Sequence, residues 1–281
     1  VKENQLGHGP CYLKTSGITS DQDQDLLKAY LNMAPSQTLK WIESGKMPSE
    51  QDVEIQGTEP YIVGGHTASG FWVDTRRETT IHGLYAAGDV AGGCPQKYVT
   101  GALAEGKIAS LAIIEQLKDD HSEETSEIEK QAQMILADYE KIRSAQNGLF
   151  TIDELEEAMQ KVMDEYAGGI ASNYQFNEKQ LNLAEEKITR LSKLADQVGA
   201  EDMHELLFAY ELKERLLVCQ VLIEHLKNRK ETRWHSFNEN LDHPETDQKF
   251  EKYVNSRMED GKIRILFRDL VKGDTYEHTN S

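Results

Sequence analysis

Apolar residues recur at three- and four-residue spacing through most of the second half of the chain. Ile128, Ala132, Ile135, Leu136 and Tyr139 fall on one side of a helix. Thr151 and Glu154 form a capping box for a second helix that runs to about Tyr166, where Gly168 and Gly169 break it. Asn177 caps a third, with the stripe Leu181, Ala184, Ile188, Leu191, Leu194 and Val198 and a stop at Gly199. Asp202 with Glu205 opens a fourth, reaching about Lys227 through Leu206, Tyr210, Leu217 and Val221. Short connections between four amphipathic helices predict an antiparallel bundle with solvated acidic faces. Beyond it, apolar or alternating runs at 253–258 and 263–267 flank Glu259-Asp260-Gly261-Lys262. An Asp-Gly between two such runs predicts a β-hairpin.

Before residue 118 the pattern is mixed α/β. Helices are expected at 23–30 and 35–44, and residues 71–74 have strand character, followed by a polar turn through Arg76-Arg77-Glu78. Residues 81–89 read as a short apolar strand ending on Gly88-Asp89, then a glycine-rich loop, then an Ala/Ile/Leu-rich helix over 102–117. A buried strand feeding a glycine loop and a helix N-terminus is how α/β proteins hold phosphates and dinucleotides. The predicted fold class is therefore α/β plus all-α, with domains at 1–70, 71–118, 119–235 and 236–281.

Charge narrows the class of partner. The 281 residues hold 31 Lys and Arg against 49 Asp and Glu, a net charge of −18. Nucleic acid and anionic membrane surfaces demand basic stripes, so both are excluded as partners. Residues 1–118 account for −4 and the bundle and tail for the remaining −14. The cysteines, Cys11, Cys94 and Cys219, stand far apart with no CxxC, and supply neither a disulfide framework nor a metal or iron–sulfur site. Scattered thiols and the absence of a signal-peptide pattern fit a reducing cytoplasm. The most apolar stretch, 216–223, is far short of the about 20 residues a membrane span needs.

The motifs themselves carry a resemblance. Gly83-Leu84-Tyr85-Ala86-Ala87-Gly88-Asp89 resembles the second flavin-contacting motif of the succinate dehydrogenase/fumarate reductase flavoprotein superfamily. Within it, the stretches at 58–70, 72–77 and 92–101 resemble the alpha subunits of dissimilatory adenylylsulfate reductases, as does 30–41. The likeness is dense over about residues 10–118, looser through the bundle, and returns at 231–234 and 253–256.

That resemblance implies noncovalent FAD, two-electron conversion of adenylylsulfate to AMP and sulfite through a flavin N5–sulfite adduct, and a beta subunit that alone carries the 4Fe–4S clusters. Asp89, beside Gly88, falls where the family sets an acidic residue against sugar hydroxyls of FAD. Tyr98, Val99 and Thr100 fall at the helix start whose N–H groups face a flavin carbonyl, where donors stabilise developing negative charge. His66 matches the family's substrate-side histidine, although from its own neighbours, Gly-Gly-His-Thr, a turn residue is the commoner reading.

Two departures matter. The superfamily's dicarboxylate enzymes carry His-Gly-x-x-Arg where Cys94-Pro95-Gln96-Lys97 stands here, which speaks against fumarate reductase or L-aspartate oxidase chemistry. The GxGxxG that seats an FAD pyrophosphate is missing, and the chain starts at Val1 rather than Met. The expectation is a C-terminal portion of such a subunit, binding FAD weakly or not at all by itself. A noncatalytic acidic interaction module would account for the bundle, but it leaves 64–70 and 83–93 unexplained.

Overall fold

A computed structural model describes residue 3 and residues 6–55, 69–93, 99–119, 125–145, 149–233 and 238–270. It divides into two compact units, Val1–Tyr61 and Ile62–Ser281.

In the first unit, β1 (Cys11–Leu13) pairs antiparallel with β2 (Val53–Ile55) and two helices lie between them in sequence. Helix α1 (Ser20–Met33) begins three residues before the expected start. Its trigger is a capping box: Gln22 N donates to Thr19 Oγ1 at 3.3 Å while Thr19 N donates to Gln22 Oε1 at 2.9 Å. Helix α2 (Pro35–Ser44) opens on a proline and ends on left-handed Gly45, as expected. Trp41, buried, meets Tyr30 edge to face with centroids 5.1 Å apart. Asp23 is buried too, and it accepts from Ser49 N and Oγ at 2.7 and 2.6 Å. Asp52 accepts from the backbone N–H groups of Ser16 and Thr15, which hold its carboxyl below the usual aspartate range.

The second unit carries five helices among its described residues: α3 (Val99–Asp119), α4 (Thr125–Ser144), α5 (Ile152–Tyr166), α6 (Glu178–Ala195) and α7 (Met203–Asn228). The caps are those read from the sequence. Thr151 and Glu154 exchange their hydrogen bonds at the head of α5, Asn177 Oδ1 accepts from Gln180 N, and Asp202 Oδ1 accepts from His204 N and Glu205 N. Helices α5, α6 and α7 enclose one core in which Leu181, Ile188, Leu212, Leu216 and Ile223 are fully buried. Each such side chain contributes about 1.5–3 kcal/mol of transfer free energy.

Two parts of the bundle reading change. The seam of α7 runs through Leu206, Ala209, Leu212, Leu216 and Ile223, whereas Leu217 is 44% exposed. Helix α4 keeps Ile128, Met134, Ile135 and Leu136 exposed and joins the core through its last turns, where Ile142 is buried and Tyr139 meets Tyr210 edge to face. Burial of Tyr210, and its hydrogen bond to Asp138, push that phenol up to about 12.

The hairpin forms as expected. β5 (Lys252–Glu259) pairs antiparallel with β6 (Lys262–Asp269), and Asp260 and Gly261 both take positive φ, as a two-residue type I′ turn requires. A two-residue parallel pair, β3 (Gln175–Phe176) with β4 (Glu239–Asn240), ties the start of α6 to the segment after α7. There the carboxylate of Glu231, wholly buried, pairs with Arg229 at 2.8 Å and Arg233 at 2.9 Å. Burial alone would raise Glu231. The bonds from Arg233, the Asp247 amide and Arg229 outweigh it and hold the acid below its ordinary value. Arg233 is thus held in a structural ion pair.

Candidate functional site

Residues 70–93 lie folded against one face of α3. The segment 71–74, expected as a strand, makes only single bridges: Phe71 with Ala91 in parallel, Val73 with Thr79 antiparallel. The expected strand over 81–89 is likewise an isolated bridge, Glu78 with Tyr85, running into a 3-10 turn at Gly88–Val90. A strand needs a continuous ladder of hydrogen bonds. Among the described residues these segments find one backbone partner at a time, so they stay extended without becoming sheet.

Polar anchors take the place of that ladder. Asp74 Oδ1 accepts from Arg76 N at 2.8 Å and Glu78 N at 2.9 Å, closing the turn. Arg76 reaches Glu115 at 2.7 Å, and Arg77, itself at positive φ, brings its Nε within 3.2 Å of Glu105 Oε1. That contact is an ion pair without the alignment of a hydrogen bond. Tyr85 donates to Gln116 Oε1, and burial with the nearby Glu78 raises its phenol. Both arginines are therefore committed to α3.

At the end of this segment, Gly88 is buried at φ +74° and its N–H donates 3.0 Å to Glu105 Oε2. A Cβ at Gly88 would sit 3.2 Å from that of Ala102, so only glycine brings the turn this close to the first turns of α3. Asp89, next in the turn, is exposed, and so are Val99 and Thr100 at the head of α3. The structure thus gathers four of the expected site residues, Gly88, Asp89, Val99 and Thr100, at one end of α3. His66 and Tyr98 lie outside the described residues, as do Cys94 and Lys97.

Glu105 was not anticipated. Its signal was available: a carboxylate set among the small residues Ala102, Ala104, Gly106 and Ala109 in the first half of the helix. A carboxylate buried this deeply needs a cation and N–H donors, and Arg77 and Gly88 provide them.

The residues present suit a dinucleotide. A helix N-terminus offers unpaired N–H groups and a positive dipole end. A glycine turn pressed against that helix allows close backbone approach, and the exposed Asp89 can accept hydrogen bonds from sugar hydroxyls. Among the described residues no group of His, Cys, Asp and Glu is arranged to hold a metal ion, and no helix is long and apolar enough to cross a membrane.

The fold of the chain recurs in known proteins. No family model matches the chain. Its fold is that of the fumarate reductase flavoproteins: a variant of Escherichia coli quinol fumarate reductase superposes with TM-score 0.67 over 97% of this chain and 47% of its own, at 21% identity. The predicted fold class is borne out.

More particularly, the chain is homologous to adenylylsulfate reductase alpha subunits. It is 27% identical to that subunit from Megalodesulfovibrio gigas over 93% of this chain and 46% of the relative. Adenylylsulfate reductase from Archaeoglobus fulgidus superposes with TM-score 0.72 at 28% identity, over 98% of this chain and 50% of that one. An adenosine-5-phosphosulfate reductase solved with sulfite as a covalent adduct gives 0.71, also at 28% identity, over 98% and 50% of the two chains. An uncharacterized FAD-dependent oxidoreductase of Methanocaldococcus jannaschii is 31% identical over 68% of this chain and 35% of its own length. The chain thus spans about half, or less, of the curated relatives it matches.

Proposed function

We propose that this chain is part of an FAD-dependent oxidoreductase, and specifically of the alpha subunit of an adenylylsulfate reductase that interconverts adenylylsulfate with AMP and sulfite. The observation that carries the reading is Gly88, held by Glu105 in a positive-φ turn against the head of α3, within the motif that resembles a flavin contact.

In this reading FAD, bound noncovalently, supplies the two-electron exchange with sulfur. The protein's part is positional. Gly88 lets the backbone approach the cofactor, and Asp89 accepts hydrogen bonds from its sugar hydroxyls. The N–H groups of Tyr98, Val99 and Thr100 would donate to an electron-rich carbonyl of the bound cofactor, where such donors favour negative charge. His66 serves on the substrate side, donating to sulfate oxygens. Residues 1–70 then complete the substrate side, 71–118 the cofactor side, 119–235 the bundle and 236–281 a C-terminal extension. Electrons arrive from an iron–sulfur beta subunit, in the cytoplasm.

The test is an oxidation assay on the native protein with a one-electron acceptor. Sulfite oxidation that depends on AMP, with no turnover of succinate or fumarate, is the expected result. Turnover of a dicarboxylate without AMP-dependent sulfite oxidation would overturn it.

A further inference from the structure

The hairpin has two occupied faces. Side chains alternate along a strand, so Ser256 and Arg268, which belong to successive kinds of cross-strand pair, point to opposite sides. On one side Ser256 Oγ lies 3.0 Å from His225 Nε2 of α7. On the other, the Arg268 guanidinium carbon stands 3.7 Å from the centre of the Trp72 ring and 5.1 Å from that of Tyr253. Arg268 Nε also donates to Asn255 Oδ1 at 2.7 Å. Pinned at one edge, the planar guanidinium keeps its flat face over the indole.

Trp72 adjoins the backbone that sets the glycine turn. Phe71 N donates to Val90 O at 2.7 Å, and Gly92 N donates to Phe71 O at 2.8 Å. These bonds fix the offset between residues 70–72 and the turn. A Cβ on Gly70 would lie 2.6 Å from both Gly92 N and Val90 O, so the approach leaves no slack. Yet among the described residues 71–74 belongs to no multi-residue strand, and no ladder enforces the offset.

We propose that Arg268 is a positioning residue: by stacking on Trp72 it holds residues 70–72 in register with the turn at 88–93, so that the C-terminal hairpin sets the geometry of the cofactor-facing turn. What the turn contacts rests on the flavin reading above; the coupling is measured without flavin.

Residue-resolved amide hydrogen exchange on the full 281-residue chain tests it. Arg268→Met, which keeps the aliphatic stem and loses the cation, should speed exchange at the Phe71 and Gly92 amides roughly fivefold, the scale of one cation–π contact. Arg268→Lys should recover much of the protection. Trp72→Leu should give the same acceleration, and combining it with Arg268→Met should add little, because both remove one interaction. Wild-type rates at Phe71 and Gly92 in Arg268→Met would overturn the proposal, as would independent effects of the two substitutions. Acceleration spread equally over α5, α6 and α7 would overturn it too, by showing a global loss of stability. FAD binding by the native protein reports on the flavin reading alone, so the two can fail separately.

Discussion

Glu105 holds Gly88: the glycine N–H reaches the carboxylate at 3.0 Å in a buried setting, with Arg77 on the other oxygen. One side chain thus satisfies a buried backbone donor, counters the charge of a guanidinium, and fixes the turn that carries Asp89. Replacing Glu105 with Ala leaves the Gly88 amide without an acceptor and should cost about 1–3 kcal/mol. Denaturant unfolding measures it. Glu105→Gln retains an acceptor and should cost less.

The turn itself depends on glycine at two places. Gly88→Ala should destabilise by about 1–2 kcal/mol for the left-handed backbone alone, with a further cost where the new methyl meets Ala102. Ala102→Gly should relieve that second part and leave the first. Gly70→Ala should be worse, since its Cβ would fall 2.6 Å from backbone atoms at Val90 and Gly92 that have no side-chain freedom to yield. Comparative thermal unfolding of the variants orders the effects.

Core and exposed apolar positions in the bundle should separate clearly. Ile188→Ala opens a cavity in a fully buried site and should cost about 2–5 kcal/mol. Leu136→Ala, at a site 59% exposed on α4, should change stability by less than about 0.5 kcal/mol. Urea unfolding followed by helical circular dichroism distinguishes them.

Glu231 gives the segment after α7 an acid-sensitive tie. Its carboxyl titrates below the ordinary glutamate value in the folded chain. The stability it contributes is therefore fully present above that ordinary value, and is lost as pH falls through the lower, folded one. Amide exchange at Thr232 and Asp247 should accelerate over that acid range in the wild type. In Glu231→Ala it should be fast throughout, with an overall loss of roughly 2 kcal/mol, because Arg229 and Arg233 are each about a third exposed and can rehydrate.

Features specified within a few residues were legible in the sequence. Thr151 with Glu154, Asn177 and Asp202 each bond an N–H two or three positions on, and Asp260-Gly261 fixes its turn by its own φ angles. The capping box at Thr19 and Gln22 was equally local and marks the true start of α1. What could not be read depends on distant partners. Residues 81–89 have strand composition, but a strand requires a continuous partner, and among the described residues the segment forms a single bridge, to Glu78. Spacing marked Ile128, Ile135 and Leu136 as one apolar face without saying what covers it. At the site, the glycine motif exposed Gly88 and Asp89, while Glu105, seventeen residues on, becomes part of it only when α3 folds back.

The most direct measurement is amide hydrogen exchange in the native protein with FAD bound and after its removal. The account predicts that FAD slows exchange at residues 88–93 and at Val99 and Thr100, and leaves α5, α6 and α7 unchanged. Protection confined to the bundle or the hairpin, with the Gly88 turn and the head of α3 unaffected, would contradict it.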